Sequence, residues 1–268
     1  MEAKIISMKK VETGTLNLPE QFNEEIRVDL IKRAVHALQS HKRQPYGASP
    51  TAGKRASAKL SRRRRNYKTS YGIGISRVPR KILSRHGTRM HWVGAFAPGM
   101  VGGRRAHPPK AEKCFSLKIN QKERIKAIRS AISATIIRDI VSNRGHILPS
   151  IYPIVIETEF ESVTKTKDVI KIMDVLGLEA ELFRVSERVV RSGRGKARGR
   201  KYRKKIGPLI VVSGKCNVMM AAKNITGIDI AEVKNLNAEI LAPGSSAGRL
   251  TIWTESAVRK LEKERLFI

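Results

Sequence analysis

Four consecutive arginines, Arg62–Arg65, lie in the part of the sequence whose residue types are best suited to binding chemistry. No Asp or Glu occurs anywhere in residues 30–111, so no nearby acid in the sequence neutralises their charge. A guanidinium donates two parallel hydrogen bonds to a phosphate, and a glycine-rich backbone allows the close approach that such contacts need. Three aromatic residues that can stack on bases or riboses follow the arginines, namely Tyr67, Tyr71 and Trp92. We therefore predict that this segment binds a nucleic acid.

The composition of the whole chain also indicates a polyanionic partner. The 268 residues carry 54 Lys and Arg against 23 Asp and Glu, which gives a formal net charge of +31 and a pI near 10.8. This imbalance is far larger than solubility requires. An anionic membrane would also attract it, but no run approaches the roughly 18 apolar residues of a membrane span, and the start lacks the apolar core of a signal peptide. We expect a soluble intracellular protein with no membrane partner.

The cysteine and histidine residues do not form a recognisable metal motif. Cys114 and Cys216 are far apart and form no CxxC pair, so we expect two buried or half-buried thiols rather than a disulfide or a zinc site. The six histidines include no HExxH motif. The sequence therefore predicts no metal and no cofactor.

Hydrophobic spacing predicts two helices separated by a long segment that has no helical pattern. Apolar residues at steps of four predict a helix over 19–40, and the same pattern resumes at Asn120, continues through Ile140 and stops before Gly145. Segment 41–111 is rich in Gly and Pro and has too few apolar residues to order itself. A loop of that length inside a domain is either disordered or functional.

Beyond Pro149, Val- and Ile-rich runs alternate with helical patterns. This alternation predicts an α/β fold in which a mostly parallel sheet is flanked by helices and interrupted by a long extended basic loop. The predicted body comprises 1–40 and 112–268, and 41–111 is the loop inserted into it. A second basic surface loop is predicted at 188–205, where ten of eighteen residues are Lys or Arg.

Two glycine motifs leave an α/β enzyme as an alternative. The glycines of Gly193–Gly199 have the spacing GxGxxxG and follow a cationic stretch rather than a buried strand, which does not suit a dinucleotide turn. Ser213–Lys215 follows a good strand but lacks the upstream glycine of a phosphate-binding loop, so we expect an ordinary turn between a strand and a helix.

Acidic residues give no further support to catalysis. Glu157, Glu159 and Glu161 alternate and are predicted to share one face of a strand end, without an obvious base, nucleophile or metal partner. Met219 and Met220 are predicted to be core residues. We predict that the protein is not an enzyme, and keep two alternatives open: a nucleotide-dependent α/β enzyme and a general nucleic-acid-coating protein.

Two motifs in the long loop resemble those of a known family. "GISRVPR" at Gly74–Arg80 and "VGGRRAHPPKAEK" at Val101–Lys113, set within an interrupted α/β body, closely resemble the archaeal form of the universal large-subunit ribosomal protein four family. The resemblance extends over essentially the whole chain. It implies a structural constituent of the large ribosomal subunit, located in the cytoplasm, that binds large-subunit ribosomal RNA early in assembly.

The resemblance also implies a position for the long loop. In the family this loop forms part of the wall of the polypeptide exit tunnel, next to ribosomal protein twenty-two and the nascent polypeptide, and no small-molecule substrate is expected. The tip residues would be Tyr71, Gly72, Ile73, Gly74, Ile75 and Ser76. The candidate RNA-binding residues are Arg55, Arg62, Arg63, Arg64, Arg65, Tyr67, Lys68, Arg77, Arg80, Arg85, Trp92, Arg104, Arg105, His107, Lys110, Arg194, Arg198, Arg200 and Arg203.

Overall fold

The structure is a computed structural model that describes residues 1–55, 58–87 and 89–268. Its strands are β1 (Glu2–Ile6), β2 (Glu12–Asn17), β3 (Arg80–His86), β4 (Arg89–Gly94), β5 (Ile154–Ile156), β6 (Val189–Val190), β7 (Tyr202–Arg203), β8 (Leu209–Val212), β9 (Asp229–Glu232) and β10 (Thr251–Thr254). Its α-helices are α1 (Val28–His41), α2 (Gln121–Ala134), α3 (Arg138–Asn143), α4 (Thr166–Val175), α5 (Glu179–Ser186), α6 (Asn217–Ala222), α7 (Ala238–Leu241) and α8 (Glu255–Lys263).

Residue contacts divide the chain into two compact units. Met1–Lys42 and Ser116–Ile268 form one unit, which we call the body, and Arg43–Phe115 forms the other, which we call the basic unit. The boundaries predicted from composition, with a body of 1–40 and 112–268 and an inserted loop of 41–111, remain a prediction.

The body contains a six-stranded sheet in the order β2-β1-β5-β10-β8-β9. Only β2 is antiparallel to its neighbour, so the predicted mostly parallel sheet is confirmed. The central strands are buried on both faces because alternate side chains enter two different apolar clusters. In β10, for example, Trp253 packs in the cluster that contains α1, α2 and α8, whereas Ile252 packs in the cluster that contains α4 and α6.

The first predicted helix begins later than the apolar spacing indicated. Residues Glu20–Phe22 form a short 3₁₀ turn, and α1 starts only at Val28. The Arg27 backbone N–H donates to Ser130 Oγ at 2.6 Å, and Phe22 is buried with its ring centroid 5.0 Å from that of Trp253. These contacts with distant parts of the body hold residues 23–27 outside the helix.

The second predicted helix is interrupted before Ile140. Helix α2 has Asn120 at its N-cap position but ends at Ala134, and α3 follows from Arg138. The Thr135 hydroxyl donates back to the Ile132 carbonyl at 2.7 Å, while the Thr135 carbonyl accepts a hydrogen bond from the Tyr152 hydroxyl. The helical hydrogen-bond ladder therefore ends at Thr135, which the periodicity did not show.

The basic unit contains regular structure that the prediction of an extended loop missed. Strands β3 and β4 pair as an antiparallel hairpin with an irregularity between Ile82 and Ser84. We call the described residues of 43–70 the outgoing arm and residues 95–115 the returning arm. The two arms lie side by side where the Ala48 N–H donates to the Pro109 carbonyl at 3.0 Å. A Cβ on Gly53 would lie 2.2 Å from the Arg104 backbone nitrogen, so this approach requires glycine.

Three smaller predictions are corrected by the structure. Met220 is 75% exposed and is not a core residue, and Cys114 is exposed rather than buried. Glu159 and Glu161 lie on the 3₁₀ turn Thr158–Ser162 and not on a strand, because β5 ends at Ile156.

Within residues 1–55, 58–87 and 89–268, none of the helices has the length and apolar character needed to cross a bilayer.

Candidate nucleic-acid interface

The basic unit holds a large positive charge that the protein itself does not neutralise. It contains eighteen Lys and Arg and a single acid, Glu112. Among the described residues, no ion pair involves a Lys or Arg of this unit. The charge must be balanced by counterions in the free protein, and their release on binding favours a polyanion.

The four arginines Arg62–Arg65 are displayed on a tight exposed loop. The Ser61 N–H donates to the Lys68 carbonyl and the Thr69 N–H donates to the Asn66 carbonyl, both at 3.2 Å, and these bonds close the loop. Arg65 and Lys68 have φ angles of 55° and 62°, in the left-handed region that non-glycine residues rarely adopt. Strained backbone of this kind clusters at functional sites, and all four arginine side chains are exposed here.

The aromatic residues predicted to stack on bases are partly covered by arginines of the same unit. Arg77 lies 4.3 Å from the centroid of the Tyr71 ring, and Arg85 lies 5.0 Å from that of Tyr67. Arg80 similarly lies 5.1 Å from the centroid of Trp92. A guanidinium stacked on a ring is held in place while its edge can still donate to phosphate. The rings therefore support the arginines, in addition to any contact with bases.

Several predicted RNA-binding residues surround one cavity of about 560 Å³ in the basic unit. Its lining includes Arg65, Tyr67, Lys68, Arg85 and Trp92. Two residues of the predicted tip, Ile73 and Ile75, line the same cavity. The structure thus brings residues of the predicted tip and Arg65 to the same cavity.

The two glycines of the predicted tip lie in an open turn. Gly72 and Gly74 have φ angles of 78° and 70°, and a Cβ on either would meet nothing within 4 Å. The neighbouring Ile73 is 54% exposed. Conformational freedom rather than close packing explains glycine at these positions.

The returning arm presents further cations beside the outgoing one. Arg105, His107 and Lys110 are exposed, Arg104 is half-buried, and Arg55 is exposed on the outgoing arm. A Cβ on Gly103 would lie 1.9 Å from the Ala97 carbonyl oxygen, so this glycine fixes a close backbone contact. Both segments therefore present exposed cations to solvent.

The second basic loop, 188–205, is a short ribbon on the body. Strands β6 and β7 pair at its base, and Gly199 has a φ of 79° in the turn. All four of its predicted RNA-binding residues are exposed, namely Arg194, Arg198, Arg200 and Arg203. Within this loop, Lys205 pairs with Glu187 at 2.7 Å, and the other cations form no ion pair among the described residues.

A cationic cavity at the base of this ribbon was missed in the sequence analysis. It measures about 570 Å³ and no acid lines it. Its ionisable lining residues are Arg144, His146, Arg184, Arg203, Lys204 and Lys205. Burial and the charge of Arg249 lower the pKa of Arg144 to about 10, which leaves it protonated at neutral pH. Arg144 and Arg184 stand alone in the sequence, so no charge pattern identifies them.

A buried carboxylate supports the wall of this cationic cavity. Glu181 Oε1 accepts a hydrogen bond from Arg184 at 2.6 Å and lies 2.6 Å from His146 Nδ1, and its Oε2 accepts from the Ile147 N–H at 3.0 Å. Burial by itself would raise the pKa of Glu181, but these hydrogen bonds lower the pKa to about 2. Arg184 also donates to the Ile206 carbonyl at 2.8 Å and so ties α5 to the end of the basic ribbon.

Comparison with known proteins shows the family to which the chain belongs. The model of the Ribosomal protein L4/L1 family matches residues 16–264. The chain belongs to this family. The large ribosomal subunit protein uL4 of Nanoarchaeum equitans is 52% identical to it over 268 residues, which are 100% of both chains.

Other archaeal relatives match over nearly the same length. The uL4 protein of Archaeoglobus fulgidus is 47% identical over 97% of this chain and 98% of its own. That of Methanoculleus marisnigri is 46% identical over 98% of this chain and 99% of its own. The resemblance found in the two loop motifs is thus confirmed as membership of the family, including its archaeal form.

Proposed function

We propose that the protein binds large-subunit ribosomal RNA through the basic unit and the 188–205 ribbon, as a primary binding protein in early assembly of the subunit. The observation that carries the proposal is the set of eighteen Lys and Arg in the basic unit that have no ion-pair partner among the described residues. Folded RNA offers phosphates on several sides of such a unit, and release of their counterions favours binding.

Family membership supports the wider setting of this activity. The relatives are named large ribosomal subunit proteins, so the chain is a structural constituent of the large subunit in the cytoplasm. The family name implies a structural rather than an enzymatic role. Ribosomal RNA and neighbouring ribosomal proteins are accordingly its partners.

The RNA proposal predicts selectivity as well as affinity. Labelled large-subunit ribosomal RNA bound to the purified chain should resist competition by excess duplex DNA, since shape and irregular backbone differ between the two. Equal competition by DNA would favour a general coating protein. Saturable, salt-resistant binding of a dinucleotide would instead favour the enzyme alternative.

We further propose that Tyr71–Ser76 reaches the wall of the polypeptide exit tunnel, next to ribosomal protein twenty-two and the nascent polypeptide. The open turn at Gly72 and Gly74 and the exposed side chain of Ile73 support this assignment. A photo-crosslinking residue in place of Ile73 should react with a stalled nascent chain in assembled subunits. The same residue at Met220 on the body serves as the control, and equal yields from both positions would contradict the proposal.

A further inference from the structure

A groove on the body differs in chemistry from the cationic surfaces described above. It measures about 590 Å³ and lies among α4, α5 and the segment after α6. We call it the acidic groove, defined by Ile170, Asp174, Glu179, Leu182, Phe183 and Ile225. No Lys, Arg or His lines it, although the chain as a whole carries a formal charge of +31.

The apolar floor of the acidic groove is unusually exposed for a packed α/β body. Phe183 is 68% exposed and Ile170 is 40% exposed. An aromatic ring left in solvent inside a concave surface gains free energy when a partner covers it, and such rings are frequent centres of binding energy. The two side chains therefore indicate an interface rather than a solvated face.

The electrostatics of the groove favour a cation. Neither Asp174 nor Glu179 forms an ion pair among the described residues. Asp174 lies near the C-terminal end of α4, whose last turn contains no basic residue, so the negative end of that helix dipole adds to its charge. Glu179 lies in the first turn of α5, where the positive end of the dipole offsets part of its charge, so Asp174 is the stronger attraction for a cation. Lys167 and Lys171 are exposed on α4 but do not line the groove.

We propose that the acidic groove docks a lysine- or arginine-rich segment of another protein, with an apolar side chain of that segment covering Phe183. Nucleic acid and anionic lipid are disfavoured because their phosphates would face Asp174 and Glu179. A two-fold pairing of two copies through this groove is disfavoured, because it would place Asp174 and Glu179 of one molecule against the same acids of the other. The proposal relies on the subunit assignment for the setting in which the partner is met, but on none of the proposed RNA contacts.

A peptide titration with the full-length protein tests the chemistry of the groove. The probe is a short fluorescein-labelled peptide of alternating Lys and Leu, followed by anisotropy at physiological salt. Asp174→Lys with Glu179→Lys should weaken its binding by about tenfold or more, because attraction becomes repulsion. Phe183→Ala should weaken it by roughly tenfold while leaving the charge unchanged.

A matched control separates the groove from the overall charge. Glu112→Lys with Glu262→Lys changes the net charge by the same amount at two exposed acids outside the groove. This control should leave peptide binding within about twofold, because distant exposed charges are screened at this salt concentration. Equal losses in the two double variants, or no loss in either, would overturn the proposal.

A second measurement locates the partner in assembled subunits. A benzoylphenylalanine in place of Phe183 should crosslink to a protein segment rich in Lys and Arg, and the Asp174→Lys and Glu179→Lys changes should suppress that product. Crosslinking only to RNA, or no crosslink, would overturn the proposal. Failure of the unsubstituted chain to enter subunits would count against the proposed function instead, and the peptide titration would then decide the proposal alone.

Discussion

Replacing Arg62–Arg65 with alanine should reduce the salt dependence of ribosomal RNA binding by a calculable amount. All four side chains are exposed, and none forms an ion pair among the described residues. Their removal therefore takes little from the stability of the free protein. Each phosphate contact contributes about 0.9 to the slope of log affinity against log salt for a duplex and about 0.7 for a single strand, so four contacts predict a decrease of about 3 to 4.

A control with the same loss of charge makes this measurement specific. Lys4, Arg33, Lys234 and Arg259 each pair with an acid of the body, and alanine at these positions also removes four positive charges. Filter binding of a large-subunit ribosomal RNA fragment between about 50 and about 200 mM salt gives both slopes. We expect the control slope to stay close to that of the parent. If the slope of log affinity against log salt decreases equally in both variants, long-range charge and not local phosphate contact governs binding. The assignment of Arg62–Arg65 is then refuted.

Three further outcomes follow from the structure. Glu181→Gln should lower the free energy of unfolding at neutral pH by about 3 kcal/mol, the value that corresponds to a pKa lowered to about 2 from 4.5. The pKa of Glu181 is lower in the folded state than in the unfolded state, so this contribution is present above about pH 4.5 and is lost as the pH falls towards 2. The unfolding free energies of parent and variant, measured with urea, should therefore converge in acid. A difference between them that stays the same at every pH would contradict the ion network. Gly103→Ala should weaken RNA binding and expose the basic unit to protease, since the new Cβ would lie 1.9 Å from the Ala97 oxygen. The control Gly214→Ala should do neither, because its Cβ would meet only Lys260 Nζ, at 3.7 Å. Brief trypsin treatment should first cut within 43–115 and 188–205, and ribosomal RNA should protect both segments; first cuts within α4 would show that the exposed cations are not the weakest points.

The composition of the chain by itself predicted a polyanionic partner. The absence of acid from residues 30–111 is a property of the sequence alone, and charge of one sign within a segment cannot be neutralised by that segment. Continuous Val- and Ile-rich runs such as Leu209–Val212 likewise predicted buried parallel strands, because both faces of such strands pack against helices.

The helix boundaries depend on tertiary contacts that the spacing of apolar residues does not reveal. The spacing of apolar residues indicates which face of a helix is buried, but not where a residue distant in sequence forms a hydrogen bond with the backbone and ends the helix. Ser130 accepts the Arg27 N–H, and Tyr152 donates to the Thr135 carbonyl, so both predicted helices are shorter than their patterns. The hairpin of β3 and β4 was hidden for a related reason, since its exposed positions carry cations that resemble those of the surrounding loop.

The tertiary structure alone assembled the two sites that sequence analysis did not find. Arg144, Arg184 and Arg203 come from three separate segments and meet in one cavity. Asp174 and Phe183 belong to different helices that form the acidic groove together. A sequence shows how much charge a segment carries, whereas the partners of that charge depend on distances between segments, because electrostatic and apolar contacts act through space. For this protein, the sequence predicted a polyanionic partner and an α/β body. Only the fold decided which of the described cations stay unpaired and where acids face solvent together.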